Sequence, residues 1–310
     1  MDQHRLQVTS ACSVAWTTHT LPPPQANELL VRTIAGAISI GAELPQIRGN
    51  DLTDPFPTYP KETGYESYAQ VLAIGTDVTQ FQVGDRLLAF FGHQDVALVE
   101  ASKAIPVPDG ISAKLALLNI LSCDAAKGVR KLAPLPTDSV LVTGMGVMGL
   151  LTVFYLRHYY QVGRIIVSEP DPVRAALALR LGATALFQPD DPSSDTFTHA
   201  FECSARQDAF ALLQEALVPH GQLCILSDGN HETLSLTPAF YEKELRIAGS
   251  SDGWDYRTHA AWFFETAPHV PQLEQLYEQT VASRDLVACF ERLLTDAHPL
   301  KVFVTYPLVD

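Results

Sequence analysis

The sequence has only five cysteines, Cys12, Cys123, Cys203, Cys224 and Cys289, scattered and never in a CxxC spacing. That pattern argues against a disulfide framework and against a thiolate zinc site, and suits small buried hydrophobes. Positive charge is also short, with 21 Lys and Arg against 35 Asp and Glu and a net charge of −14. A field of that sign repels phosphate backbones and anionic lipid, so neither nucleic acid nor a membrane is expected as a partner. No uninterrupted apolar run reaches the roughly 18 residues a membrane span requires; the longest candidate, 149–160, is broken by Arg157 and His158. The opening Met1-Asp2-Gln3-His4-Arg5 lacks the apolar stretch of a secretory signal, which makes a cytoplasmic protein the expectation. Internal repeats and low-complexity tracts are missing too.

What is present suffices for two cores: 310 residues, 47% of them hydrophobic. Up to about Pro108, short β-rich pieces at 28–33, 68–74, 86–91 and 96–99 are punctuated by Pro22-Pro23-Pro24 and Gly84. Such spacing predicts a small, irregular β domain. A helix follows from Ser112, a candidate N-cap, to about Leu132, with Leu115, Leu118, Ser122 and Ala126 along one face. The rhythm then alternates. Strands are predicted at 140–143, 164–168, 183–187, 199–202, 222–227 and 245–249, with helices at 149–160, 173–181 and 207–217. This alternation predicts parallel strands with crossover helices, a doubly wound α/β sheet. From about Ala267 the tail holds a helix and an apolar strand at 302–305 that can return to the first domain.

The predicted strand at 140–143 runs into Gly144-Met145-Gly146-Val147-Met148-Gly149 and then into a helix. In that setting the GxGxxG pattern is a dinucleotide-binding turn. Gly144 permits the turn, Gly146 lets the backbone approach a pyrophosphate, and Gly149 lets the helix pack on the strand. The N–H groups of Val147 and Met148 open the helix, whose N-terminus favours phosphate. Glu169 follows Gly149 by 20 residues, at the end of the second strand, where a carboxylate can accept the ribose hydroxyls. NAD is therefore expected over NADP, although Arg174 could offer a cation to an extra phosphate. Later strand ends, Cys203-Ser204, Ser227-Asp228 and Gly249-Ser250-Ser251, should line the same crevice.

The order of a β-rich domain, a dinucleotide domain and a return segment resembles the medium-chain dehydrogenase/reductase family. Gly64-Tyr65-Glu66, with Val71 to Gly75 and Phe81 to Arg86, looks like that family's signature built on "GHE" and "GDRV"; Leu181-Gly182-Ala183 is similar to its helix ending in "LGA". The resemblance covers nearly the whole chain. It implies a GroES-like β domain over 1–116, a doubly wound Rossmann domain over 117–266 and a return segment over 267–310 completing the first. It also implies hydride transfer between NAD(H) and a small-molecule alcohol or carbonyl, and a homodimer formed through the strand near 245–251. Zinc-dependent members hold the metal with a Cys of a "CGxD" segment and the His of "GHE". Here Ala37-Ile38-Ser39-Ile40-Gly41-Ala42-Glu43 has no Cys, Tyr65 replaces the His, and the structural-zinc cysteine cluster is missing, so no zinc is expected. Ile38 to Glu43 and Gly64 to Ser67 resemble a narrower branch with "ISxGTE" and "PGYES" motifs. The bacteriochlorophyllide dehydrogenases, which oxidise a hydroxyethyl group on a chlorin, belong to it. Ala42 and Thr63 depart from that pattern, which has Thr and Pro there.

Without zinc another group must move the alcohol proton. Tyr65 stands at one replaced ligand position and Ser39 beside the other, where it could relay the proton; Glu43 and Glu66 can orient these hydroxyls or act as base, and His93 is a general base by residue type. A histidine in a loop is more often solvated. Phe56, Tyr59, Phe90, Phe91, Trp254 and Tyr256 could line an apolar pocket, and core packing accounts for them equally well. Two other functions fit the same residues: reduction of an activated C=C bond, and NAD(H) binding without turnover by a sensor or scaffold.

Overall fold

The computed structural model describes residues 1–188, 197–227, 232–295 and 298–307. Two compact units emerge. One comprises Met1–Leu118, Ala260–Pro268 and Glu274–Asp310, the other Asn119–His259 and His269–Leu273.

The first unit opens with a hairpin, β1 (Asp2–Ser10) and β2 (Ser13–Thr20), then β3 (Glu28–Ile38), α1 (Ile40–Arg48) and β4 (Lys61–Glu62). β5 (Glu66–Ile74), β6 (Arg86–Ala89), β7 (Val96–Glu100) and β8 (Ile105–Pro106) follow, and the chain leaves the unit in α2 (Ala113–Leu132). The predicted Ser112 cap is in place, its Oγ accepting the Leu115 N–H at 3.2 Å. β3 runs five residues beyond the apolar stretch legible in the sequence. Ala35, Gly36 and Ala37 have little strand propensity of their own, but pairing with β5 on one side and the last strand on the other holds them extended. α1 was hidden by Pro45, which sits inside it.

The second unit runs β9 (Ser139–Thr143), α3 (Val147–His158), β10 (Arg164–Ser168), α4 (Pro172–Leu181), β11 (Ala185–Leu186) and β12 (Phe197–Glu202). It continues with α5 (Gln207–Ala216), β13 (Leu217–Ile225), α6 (Pro238–Glu242) and β14 (Arg246–Gly249), and the chain leaves it within α7 (Tyr256–Thr266), whose residues from Ala260 belong to the first unit. Its six strands lie in the order β11-β10-β9-β12-β13-β14, every pair parallel. Numbered within the unit this is the order 3-2-1-4-5-6 of the doubly wound dinucleotide fold. Leu141, Phe210, Leu213, Leu217 and Leu223 close its core.

β15 (Tyr277–Ala282), α8 (Leu286–Leu293) and β16 (Lys301–Thr305) rejoin the first unit. Its main sheet has the order β15-β16-β3-β5-β6-β8, with β7 also paired to β3, and a second sheet has the order β2-β1-β4. Ile38, Leu44 and Val302 pack with Phe290 of α8 in one apolar cluster; Leu29, Val31, Val71 and Leu87 form another. Among the described residues no helix is long and apolar enough to cross a membrane.

In the second unit His259 of α7 is buried, with Nε2 3.0 Å from Ser122 Oγ. Burial, helped by the charge of Arg130, pushes its pKa from 6.5 down to about 3. The unfolded chain takes up this proton near 6.5 and the folded chain only near 3. Stability is thus complete above 6.5 and falls as pH drops through that window, by about 2 kcal/mol at pH 5. His259→Gln is expected to lack this acid limb, which urea unfolding at pH 7 and pH 5 will read.

Candidate functional site

In the second unit the chain leaves β9 at Thr143 and turns at Gly144, whose φ of 78° lies in the left-handed region. A Cβ on Gly144 would stand 2.7 Å from Ser204 Cβ, and one on Gly149 would stand 1.9 Å from the Gly144 carbonyl oxygen. Both glycines are fixed by close packing. Gly146, the N-cap of α3, differs: a Cβ there would meet nothing within 4 Å, and no side chain caps the helix. The α3 amides, beginning at Val147 and Met148, therefore open onto free space at the carboxyl edge of the sheet.

Glu169 follows β10 directly. Its Oε2 accepts the Met145 N–H at 2.6 Å and its Oε1 accepts the Asp171 N–H at 2.9 Å. The acid is thereby anchored to the glycine turn itself. Arg174 is tied locally: its N–H is capped by Asp171 Oδ1 at 3.2 Å and its Nε lies 4.0 Å from Asp171 Oδ2. Across the sheet, buried Glu202 organises two other predicted strand ends. Its Oε1 accepts the Ser204 N–H and hydroxyl, both at 2.6 Å, and the Ala205 N–H at 2.9 Å; its Oε2 accepts the Ser227 hydroxyl. Cys203 Sγ lies 3.9 Å from Thr152 Oγ1. The Thr143 and Ser250 hydroxyls, at the ends of β9 and β14, are buried atoms with no hydrogen-bond partner among the described residues. Asp228 lies outside the described residues. An open phosphate cradle, an anchored acid and two orphaned hydroxyls along one edge suit a dinucleotide.

In the first unit, the antiparallel registers Ala37↔Glu66 and Ile38↔Val302 bring the end of β3 beside the starts of β5 and β16. Ser39, Glu66 and Lys301 meet there, all buried. The Ser39 hydroxyl donates to Glu66 Oε1, and Lys301 Nζ donates to Ser39 Oγ at 2.8 Å and to Glu66 Oε1 at 2.5 Å. Burial raises the Glu66 pKa above the ordinary carboxylate value, against the opposing pull of Lys301 and Ser39. Glu43 accepts the Ser39 N–H at 2.8 Å with one oxygen and faces His93 Nε2 at 3.0 Å with the other. His93 is thus a correction to the expectation of a solvated loop histidine. The ring is only 2% exposed, because Gly64 offers no Cβ and the imidazole fills the space against it. Tyr65 is half-buried in the turn leading into β5.

Ser39, Glu43, Glu66 and His93 are therefore brought together, and Lys301 and Glu202 are the functional candidates that sequence reasoning missed. A lysine opening an apolar strand reads as a solvated flank, and only the pairing of β16 with β3 reveals where it points. Phe56, Phe90 and Trp254 are exposed, Tyr59 and Phe91 pack against separate cores, and the Tyr256 hydroxyl donates to Asp124 at 2.8 Å. Among the described residues no three His, Cys, Asp or Glu side chains converge as a metal ion requires.

No family model matches the chain. In sequence it is 27% identical over 209 residues to the starvation-sensing protein RspB of Escherichia coli K12, spanning 57% of this chain and 60% of that protein. It is 28% identical over 200 residues to the sorbitol dehydrogenase of Bacillus subtilis, spanning 53% of this chain and 56% of that enzyme. In structure it matches the alcohol dehydrogenase rspB of E. coli CFT073, complexed with NADH, with a TM-score of 0.83 at 19% identity over 98% of this chain and 99% of the other. Dehydrogenases recur among these relatives and neighbours. The fold they share with this chain is a GroES-like β unit with a doubly wound Rossmann unit, the α/β class read from the sequence.

Proposed function

We propose that the chain is an NAD(H)-dependent medium-chain oxidoreductase that interconverts an alcohol and its carbonyl compound without zinc. The observation that carries this is the open turn at Gly146, with the Glu169 carboxylate anchored beside it. The α3 amides would take the pyrophosphate and Glu169 the adenosine ribose, and the bound nicotinamide supplies hydride transfer to or from carbon. The chain's own task is then the proton. Ser39, hydrogen-bonded to both Glu66 and Lys301, is the hydroxyl best equipped to exchange it. Zinc does not suit this cluster, since the Lys301 ammonium is buried against Glu66 and would repel a dication there. The narrower resemblance of Ile38 to Glu43 extends the proposal to an apolar substrate such as a chlorin hydroxyethyl group. The family resemblance extends it further to a homodimer through β14, an edge strand of the sheet among the described residues.

The test is a steady-state screen of alcohols, ketones and enones with NAD and NADP in parallel, on protein whose metal content has been measured. Turnover to an alcohol or ketone with less than stoichiometric zinc is the expected result. A saturated carbonyl product, strict zinc dependence, or NADH binding without turnover on any substrate would each overturn it. Within the same screen, Glu169→Ala is expected to lower the NAD-over-NADP preference at least about tenfold, as one charge-assisted acceptor is lost and the repulsion of a 2′-phosphate disappears.

A further inference from the structure

Lys301 is an unusual residue to find with no solvent exposure. Burying an ammonium and a carboxylate together is a weak source of stability, because desolvation offsets most of their attraction. The pair's placement is more informative. Lys301 Nζ touches not only Glu66 but also Ser39 Oγ, and the Ser39 hydroxyl donates in turn to the Glu66 oxygen that Lys301 holds. A serine hydroxyl has one proton and two lone pairs. Here the proton goes to Glu66 and one lone pair to Lys301, which leaves one lone pair to receive a proton.

We propose that Lys301 is a positioning residue of the reaction, holding Ser39 and Glu66 as a relay in which Ser39 exchanges the substrate's hydroxyl proton and Glu66 stores it. This rests on the alcohol–carbonyl reading above. In the oxidative direction the carbinol carbon gives its hydride to the nicotinamide of NAD⁺. The substrate O–H bond breaks as its proton passes to Ser39 Oγ, and the Ser39 proton passes to Glu66. The products are the carbonyl compound, NADH and a neutral Glu66 carboxylic acid; reduction reverses each transfer. The Lys301 ammonium stays charged throughout. It stabilises negative charge building on oxygen, as a fixed cation does at an oxyanion.

Groups facing Glu66 from neighbouring elements are Lys301 on β16, Glu43 on α1 and Tyr277 on β15. Lys301 favours the carboxylate and Glu43 opposes it. Burial keeps the Tyr277 phenol neutral, and His93 faces Glu43. Burial already draws Glu66 upward from its ordinary value, which suits a group that must take up and release a proton.

The experiment compares wild type with Lys301→Met, Lys301→Arg and Glu66→Gln. An infrared pH titration of cofactor-free protein reads the Glu66 carboxylic acid, assigned by its loss in E66Q. K301M is expected to raise its midpoint by about one pH unit or more, with K301R close to wild type. In turnover, K301M is expected to lower kcat about 100-fold with KM little changed, and to move the rising limb of the pH profile for oxidation to higher pH. A folded K301M with wild-type kcat and an unmoved limb would overturn the proposal, as would an unmoved infrared midpoint. Absence of wild-type turnover on any alcohol or ketone would instead overturn the underlying reading, while the infrared result still reports on the relay. Lys301→Gln, which keeps a donor without the charge, carries the same two readouts should K301M fail to fold.

Discussion

Gly146→Val is expected to fold like the wild type and to lose NADH binding by at least about 100-fold, roughly 2.8 kcal/mol. The three glycines of the turn look equivalent in the sequence, and the structure separates them. Gly146 has φ −70° and ψ −173°, an extended conformation open to any residue, and a Cβ there meets nothing within 4 Å. The valine side chain therefore enters the space a pyrophosphate would take and disturbs no existing contact. Exchange of a glycine N-cap for a branched residue costs less than about 1 kcal/mol. Gly149→Ala behaves oppositely. Its new Cβ would lie 1.9 Å from the Gly144 carbonyl oxygen, so stability and binding fall together. NADH fluorescence titration beside thermal unfolding reads both quantities. A G146V protein that binds NADH as tightly as wild type would show that the open space is not the phosphate site.

The second unit was legible because its signals are local. Apolar strand runs, the glycine turn and Glu169 all lie within short windows, and parallel strands buried on both faces need little else to be recognised. The first unit was legible in class and less so in detail. Its hairpin β1–β2, the extension of β3 to Ile38 and the helix around Pro45 depend on partners distant in sequence. The same holds for chemistry. Ser39, Glu43, Glu66 and His93 could be nominated from residue type and resemblance, but the pairing of His93 with Glu43 spans 50 residues and that of Lys301 with Ser39 spans 262. Glu202 was passed over for the opposite reason. It closes an apolar strand, where an acid reads as a solvated end, while its carboxylate in fact gathers Ser204, Ala205 and Ser227.

Glu66→Leu is expected to destabilise the first unit by about 3–5 kcal/mol, and the double variant Glu66→Leu with Lys301→Met to recover most of that loss. The single change leaves the Lys301 ammonium in a site with no solvent exposure, its remaining partner the Ser39 hydroxyl. Removing both charges exchanges an ion pair for apolar contact beside Ile38 and Val302, which already belong to the core of that unit. Lys301→Met alone behaves asymmetrically because a carboxyl group can neutralise itself. The folded-state pKa of Glu66 is raised, so the neutral form favours the folded state; that contribution is complete below the unfolded value near 4.5 and is lost as pH rises towards the folded value. Without Lys301 to support the carboxylate the window widens upward. K301M should therefore lie closest to wild type in acid and fall away as pH rises, whereas E66L should remain destabilised across the same range. Urea unfolding of the four proteins at pH 5 and pH 8 reads the cycle. Additive losses in the double variant would mean that Glu66 and Lys301 do not act as a pair.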